Sequence, residues 1–196
     1  MVDDDLLFRK AVARLLEAAG YQLALYNSGR ELLESRGLAD LGCILLDLRM
    51  TELDGLALQQ RLKETGCALP IVFLTGYGEV PASVQAMKAG ADDFLLKPVA
   101  EETLIDAVEK ALARGRNLLD ERNRIDALRR LVTALTPRER QVFSLVVQGK
   151  MNKQIAFELG ASERTIKAHR HAIMMKLNVR SVAAVVSIAG RLGMLA

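Results

Sequence analysis

The chain has few cysteines and lacks long apolar runs. Cys43 and Cys67 are its only two cysteines, and neither lies in a CxxC pattern, which disfavours a disulfide framework or a zinc site. We expect both to be small core residues in a reducing compartment. No run approaches the ~20 apolar residues that span a membrane, and the start, Met1-Val2-Asp3-Asp4-Asp5, is acidic where a secretion signal is basic. The sequence therefore predicts a cytoplasmic protein that does not bind membranes.

Charge is divided unevenly along the 196 residues. Residues 1–113 carry 11 basic and 18 acidic side chains, a net charge of −7, whereas residues 114–133 carry +3 and residues 134–196 carry +7. A change of sign along one short chain suggests two domains, of which the basic one faces a polyanion. Two solvated surfaces of unlike charge are the alternative.

The first part of the chain alternates short apolar runs with amphipathic segments. The runs are typical of buried parallel strands, and the segments between them of helices. The predicted strands are Gln22–Tyr26, Cys43–Leu46, Ile71–Leu74 and Phe94–Leu96, and the predicted helices lie at about 6–19, 29–36, 55–65, 81–89 and 101–113. This alternation predicts a doubly wound α/β domain with a flavodoxin-like fold.

Polar side chains follow the predicted strands. Asp47, Thr75 and Lys97 come directly after three of the apolar runs, and the acidic run Asp3–Asp5 precedes the first helix. Because ligands bind beyond the carboxyl ends of parallel strands, we expect these groups to converge at one edge. Clustered carboxylates need a cation, and hard oxygen ligands favour Mg²⁺. A carboxylate can also attack a phosphoryl group to give an acyl phosphate, while a metal ion and an ammonium neutralise the phosphoryl oxygens.

Four segments together resemble the CheY-like receiver domain. They are Asp3-Asp4, Leu45-Leu46-Asp47-Leu48-Arg49-Met50, Leu74-Thr75-Gly76 and Leu96-Lys97-Pro98, in the family's order and at the matching strand ends. The resemblance implies that Asp47 accepts a phosphoryl group. It also implies that Mg²⁺ is bound by Asp47, directly by Asp4, mainly through water by Asp3, and by the backbone carbonyl of Arg49.

The resemblance also assigns the groups around the phosphoacceptor. Lys97 would bind a phosphoryl oxygen, Thr75 would be the switch hydroxyl, and Phe94 would be the aromatic rotamer switch. A plain core aromatic is the alternative for Phe94. The Lys97–Pro98 bond would be a cis peptide.

The sequence departs from the receiver pattern in two places. Thr51 stands where the family often has proline, and only Met1-Val2 precede the acidic run, so most of the first strand is missing. Because that strand is central in the sheet, its loss should leave unpaired amides and an apolar slot between the helix layers. We expect a shortened version of a protein with a few more β-forming residues. The alternative is a loosened receiver that binds Mg²⁺ poorly.

The second part of the chain is rich in helix formers. Residues 114–133 predict a helical connector whose apolar stripe packs in cis or meets a partner. Helices are then expected from Pro137 to about Gln148, over Asn152–Leu159, from a Ser162 cap to about Leu177, and over about 182–191. The two short helices joined at Gly160-Ala161 form a helix-turn-helix pattern.

The third of these helices has two distinct faces. At ~100° per residue, Ile166, Ile173 and Leu177 fall on one side and should face the core. The opposite side carries Arg164, Lys167, Ala168, His171 and Met175. This face is basic, slim near its start and free of acids, which suits a major groove; a solvated face is the alternative. His169 and His171 point to different sides, which disfavours a shared metal site.

Residues 134–196 resemble the LuxR-type domain of the NarL/FixJ regulators. The resemblance lies in Leu135-Thr136-Pro137-Arg138-Glu139, Gly149, Asn152-Lys153-Gln154-Ile155-Ala156, Thr165-Ile166-Lys167-Ala168-His169 and Lys176-Leu177. It implies groove contacts by Lys167, Ala168 and His171, with Arg164 and Thr165 beside them, and a phosphate contact by Lys153. It also implies that the last helix supports dimerisation.

The two resemblances predict a receiver domain at 1–113, a linker at 114–133 and a DNA-binding domain at 134–196. They imply a two-component transcriptional regulator: a sensor histidine kinase phosphorylates Asp47, and the resulting homodimer binds promoter DNA and acts with RNA polymerase. Such a protein is not a turnover enzyme. A phosphatase or mutase is disfavoured because Arg49, rather than an aspartate, lies two residues after Asp47. A phosphorylation-independent regulator with a degenerate receiver stays open.

Overall fold

The computed structural model describes residues 1–35, 38, 42–76 and 80–195, and the chain divides into the units Met1–Leu119 and Asp120–Ala196. The first unit holds helices α1 (Leu6–Ala18), α2 (Gly29–Glu34), α3 (Gly55–Glu64) and α4 (Val80–Lys88) and strands β1 (Ile44–Asp47), β2 (Ile71–Thr75) and β3 (Asp93–Leu96). The second holds α6 (Pro137–Val147), α7 (Asn152–Glu158), α8 (Glu163–Lys176) and α9 (Val182–Arg191). Helix α5 (Glu101–Thr133) crosses the boundary, so the predicted last receiver helix and the connector are one element. The predicted end of α2 at residue 36 falls outside the described residues.

The sheet is parallel, in the order β1-β2-β3. On the other side of β1, Val2 is the only described residue that forms parallel bridges, one to Leu46 and one to Tyr26. The prediction of a strand over Gln22–Tyr26 is therefore wrong except at Tyr26. The reason is that a strand needs a partner along its length, and the bonds from Met1–Asp3 reach only Ala24 and Tyr26 of that segment among the described residues. At the position of the first strand, the structure thus shows isolated bridges of Val2.

Helices cover both faces of the sheet because side chains along each strand alternate between them. Leu46 and Phe73 point into one buried cluster, which α3 joins through Leu58. Leu45 and Val72 point into the other, together with residues of α1 and α5. The doubly wound receiver fold is confirmed.

A cavity of about 110 Å³ lies on the α1 and α5 side of the sheet. Its lining includes Met1, Leu16, Leu45 and Val108, which belong to the buried cluster on that face. The cavity lies beside Met1, on the side where an apolar slot is expected from the sequence, but its lining also includes Tyr21 and Gln22.

The second unit is a helical domain with well-defined caps. Thr136 and Glu139 form a capping box at the start of α6, with Pro137 in its first turn, and Ser162 accepts a hydrogen bond from the backbone of Thr165 at the start of α8. One core, which includes Phe143, joins α6 to α9 with the end of α5. Among the described helices, none is both long and apolar enough to span a bilayer.

Candidate functional site

Three carboxylates meet at the carboxyl edge of the sheet. Asp47 ends β1, and Asp3 and Asp4 follow Val2, whose backbone lies beside β1. The Val2 N–H donates to Leu45 O at 2.8 Å, and the Asp47 N–H donates to Val2 O at 2.9 Å. One carboxylate oxygen from each of the three aspartates lies within 4.8 Å of the other two. The structure therefore brings the predicted acidic residues together.

Lys97 bridges two of these carboxylates. Its Nζ lies 2.7 Å from Asp3 Oδ2 and 2.9 Å from Asp47 Oδ2. The lysine follows β3, its backbone N–H donates to Thr75 O at 2.7 Å, and its peptide bond to Pro98 is cis, as the resemblance implies. The ammonium also lies 4.1 Å from the centre of the Phe8 ring, a cation–π distance.

Burial and ion pairing act against each other at this edge. It raises the pKa of the Asp3 carboxyl above its ordinary value, against the opposing hydrogen bond and charge of Lys97. Burial lowers the pKa of Lys97, but hydrogen bonds and charges from Asp3 and Asp47 together raise it above its ordinary value. Both shifts favour the protonated form, which is neutral for Asp3 and charged for Lys97, so only the shift of Lys97 favours an ion pair. Because the bond is short and both groups are largely buried, we assign an ion pair at neutral pH.

The other predicted site residues lie around this cluster. Asp4 is exposed, and its Oδ2 accepts a hydrogen bond from the Thr51 N–H at 3.1 Å. The Arg49 N–H donates to Asp47 Oδ1 at 3.3 Å, and Thr75 is fully buried at the end of β2.

Phe94 is half-buried, and its ring centre lies 6.2 Å from that of Phe73 in the core. The structure thus places Phe94 in aromatic contact below the edge. Both predicted roles, rotamer switch and core aromatic, are compatible with this position.

Sequence reasoning missed two supports of the site. Asp5 caps α1 by accepting hydrogen bonds from the N–H groups of Leu7 and Phe8, and this capping orients the helix that carries Phe8. An aspartate directly before an apolar helical segment is a recognisable cap signal. The ring of Phe8 over Lys97 has no sequence signal, because residues 8 and 97 meet only in the fold.

The residues at this edge fit a divalent cation. Three carboxylates supply hard oxygen ligands, and exposed Asp4 leaves room for water, a donor set that Mg²⁺ prefers. One ammonium balances part of the negative charge, so a cation would lower the remaining repulsion.

Helix α8 presents the face that the phasing predicts. Ile166 and Ile173 within it, and Leu177 just after it, are buried. The predicted DNA-contact residues on the helix are all exposed: Arg164, Thr165, Lys167, Ala168 and His171. His169 is half-buried. Lys153, on α7, is exposed as well.

Long-range polar contacts hold α8 in place, and the sequence did not reveal them. Arg170 Nη1 donates to Asn152 Oδ1 of α7 at 2.5 Å, and Lys176 Nζ donates to Glu139 Oε2 of α6 at 2.6 Å. The Lys176 bond and the Thr136 backbone N–H hold the pKa of Glu139 below its usual range.

Comparison with protein families supports both halves of this description. Residues 1–109 match the response regulator receiver domain, and residues 133–189 match the bacterial regulatory proteins of the luxR family. The chain is a response regulator of the NarL/FixJ type. It is a phosphorylation-controlled, DNA-binding transcriptional regulator of a two-component system.

Full-length relatives share this organisation. The regulator is 40% identical over 192 residues to the response regulator protein TmoT of Ectopseudomonas mendocina, covering 98% of this chain and 87% of that protein. It is 36% identical over 195 residues to the transcriptional regulatory protein FixJ of Bradyrhizobium diazoefficiens, covering 100% and 95%. Among solved structures, the response regulator StyR is 44% identical, with a TM-score of 0.81 over 97% of this chain and 96% of that one.

Proposed function

We propose that this regulator accepts a phosphoryl group on Asp47 from a sensor histidine kinase in the cytoplasm. The observation that carries this proposal is Lys97 Nζ, placed 2.9 Å from Asp47 and 2.7 Å from Asp3. A carboxylate oxygen of Asp47 attacks phosphorus, the bond from phosphorus to the kinase histidine breaks, and that histidine keeps the electron pair and takes up a proton. Lys97 then neutralises charge on the transferred phosphoryl oxygens.

Mg²⁺ would be held by Asp4, Asp47 and the Arg49 carbonyl, with Asp3 acting mainly through water. When bound, the cation offsets the charge of the carboxylates and the phosphoryl oxygens. The side chain two residues after Asp47 is Arg49, which cannot serve as a general acid or base at neutral pH. We therefore assign phosphoryl acceptance without turnover on further substrates.

Labelling of the intact chain tests the phosphoacceptor. With acetyl phosphate and Mg²⁺, the wild-type protein should gain acid-labile label, and Asp47→Asn should lose it. Asp106→Asn is the matched control, since Asp106 is an exposed aspartate of α5 paired only with Lys110 among the described residues. Full labelling of Asp47→Asn would refute the assignment, and labelling that persists in EDTA would refute the role of Mg²⁺.

Within the receiver, Thr75 would respond to phosphorylation as the switch hydroxyl, and Phe94 would respond as the aromatic rotamer switch. We propose that it favours a homodimer through the receiver surface around residues 81–113 and through α9. In α9 itself, Val185 and Ile188 are buried in the domain core, so a dimer contact would use the remaining face.

The DNA-binding domain would place α8 in the major groove of promoter DNA. Lys167, Ala168 and His171 would face the bases, with Arg164 and Thr165 beside them, while Lys153 contacts a phosphate. The Thr165 hydroxyl already shares a 2.8 Å hydrogen bond with the Ser162 hydroxyl. Thr165 would therefore contact the DNA through its methyl group rather than its hydroxyl. The bound dimer would act on RNA polymerase.

The domain limits 1–113, 114–133 and 134–196 are proposed for this scheme. Promoter affinity measured with and without acetyl phosphate tests the coupling between the domains. A gain in affinity on phosphorylation supports the scheme, whereas equal affinities would favour a regulator that is independent of phosphorylation.

A further inference from the structure

Gln59 is a buried polar residue that the proposed chemistry does not use. It lies on α3 and is 4% exposed. Its Nε2 donates to the backbone oxygen of Ala86 on α4 at 3.3 Å. Its Oε1 has no hydrogen-bond partner among the residues that the structure describes. A buried acceptor without a donor destabilises the arrangement that buries it.

The acceptor used by Gln59 does not depend on Gln59. The Ala86 oxygen also accepts the Ala91 N–H at 3.0 Å, so it stays satisfied without the side chain. The Gln59 amide thus forms one long hydrogen bond between α3 and α4 through Nε2. Its Oε1 accepts no hydrogen bond from the described residues. This arrangement links the two helices without stabilising their present spacing strongly.

The start of α3 is in direct contact with the phosphoacceptor. The Gly55 N–H donates to Leu48 O at 2.9 Å, and a Cβ at Gly55 would lie 2.4 Å from Asp47 O. Gln59 lies four residues later, on the same face of the helix. A shift of the Asp47 backbone would therefore displace the first turn of α3, which lies one turn before Gln59.

Helix α4 carries part of the surface proposed for dimerisation. Its apolar side chains Val84 and Met87 are 45% and 47% exposed. Ala86, the partner of Gln59, lies between them in sequence and faces the core. The bond from Gln59 to Ala86 hence connects α3 to the inner side of a helix whose outer side carries the exposed side chains Val84 and Met87.

We propose that Gln59 is a positioning residue that couples the phosphoacceptor to α4, and that its unmet oxygen favours a different placement of α4 once Asp47 is phosphorylated. In that placement Oε1 gains a donor, and the dimer surface on α4 is favoured. This inference rests on the proposed function and names its route of regulation.

Gln59→Met tests the coupling, because methionine keeps the size and removes both polar atoms. The matched control is Gln60→Met, since Gln60 is exposed on the same helix and bonds only to Glu64 among the described residues. The variants are compared in full-length protein for the rate of Asp47 labelling by acetyl phosphate and for the dimer dissociation constant of the phosphorylated form.

We expect Gln59→Met to label at the wild-type rate and to dimerise about tenfold more weakly when phosphorylated, because the apolar side chain stabilises the present placement of α4. Gln60→Met should match wild type in both. Wild-type dimerisation of phosphorylated Gln59→Met would overturn the coupling, as would a loss of labelling in this variant. If Gln59→Met does not fold, Gln59→Leu replaces it with the same expectation. Absence of label on the wild-type chain would overturn the proposed function itself.

Discussion

Replacing Lys97 with methionine should destabilise the receiver in a pH-dependent way. Lys97 Nζ bonds to Asp3, which is fully buried, and to Asp47, whose side chain is 10% exposed. Methionine keeps the apolar stem over Phe8 and removes the charge. Two neighbouring carboxylates then lose their shared counterion. Removing one partner of a buried ion pair typically costs ~3–5 kcal/mol.

Proton uptake limits this cost. Burial already raises the pKa of Asp3, and without Lys97 the main opposing influence is gone. One proton on Asp3 relieves both its burial and its repulsion with Asp47. The penalty from the unpaired carboxylate therefore cannot exceed the free energy of protonating an ordinary aspartate, which is about 4 kcal/mol at pH 7 and about 1.5 kcal/mol at pH 5. The loss should shrink accordingly as the pH falls.

Urea unfolding followed by tyrosine fluorescence measures this difference. The chain has no tryptophan, and its three tyrosines, at positions 21, 26 and 77, all belong to the first unit. Lys110→Met is the control, because Lys110 forms an exposed pair with Asp106 and its loss should barely change the free energy of unfolding. EDTA is present throughout, so that carboxylates are not bridged by metal. Equal penalties at pH 5 and pH 7, or equal stability of the two variants at pH 7, would refute the reasoning.

Three other outcomes are expected. Lys167→Ala should weaken promoter binding in fluorescence anisotropy by ~1–3 kcal/mol, whereas His169→Ala should not. Gly55→Ala should cost ~1–3 kcal/mol in urea unfolding and slow Asp47 labelling, since its Cβ meets the Asp47 backbone oxygen. Lys176 holds the pKa of Glu139 low. The Glu139 carboxylate should therefore stabilise the folded domain fully above the ordinary glutamate pKa, and this contribution should be lost as the pH falls through the lowered pKa. Acid titration by circular dichroism should show this loss reduced in Glu139→Gln.

The converging edge could be predicted because parallel strands end together. Asp47, Thr75 and Lys97 each follow an apolar run, and no knowledge of side-chain packing is needed to place them at one edge. Which of Asp3 and Asp4 faces Lys97 could not be predicted. A shift of one residue in the pairing of Val2 would exchange the two aspartates, and only the backbone bonds of Val2 to Leu45 and Asp47 fix it.

The DNA-binding face could be predicted because the positions of the buried residues on a helix determine which residues lie on the opposite, exposed side. Ile166, Ile173 and Leu177 define the buried side, and the basic side follows from it. The bonds from Arg170 to Asn152 and from Lys176 to Glu139 could not be predicted. They join side chains 18 and 37 residues apart, whose meeting depends on how the helices cross.

The bridges of Val2 and the cavity beside β1 involve different residues. Val2 donates to Leu45 and accepts from Asp47, so one residue suffices to hold Asp3 beside the phosphoacceptor. The cavity on the α1 and α5 side is lined by other side chains, among them Leu16 and Val108, and neither Asp3 nor Lys97 lines it. The geometry of the carboxylates depends instead on the backbone bonds of Val2 at the opposite end of β1. The acidic edge is therefore assembled by backbone bonds that do not depend on the side chains around the cavity.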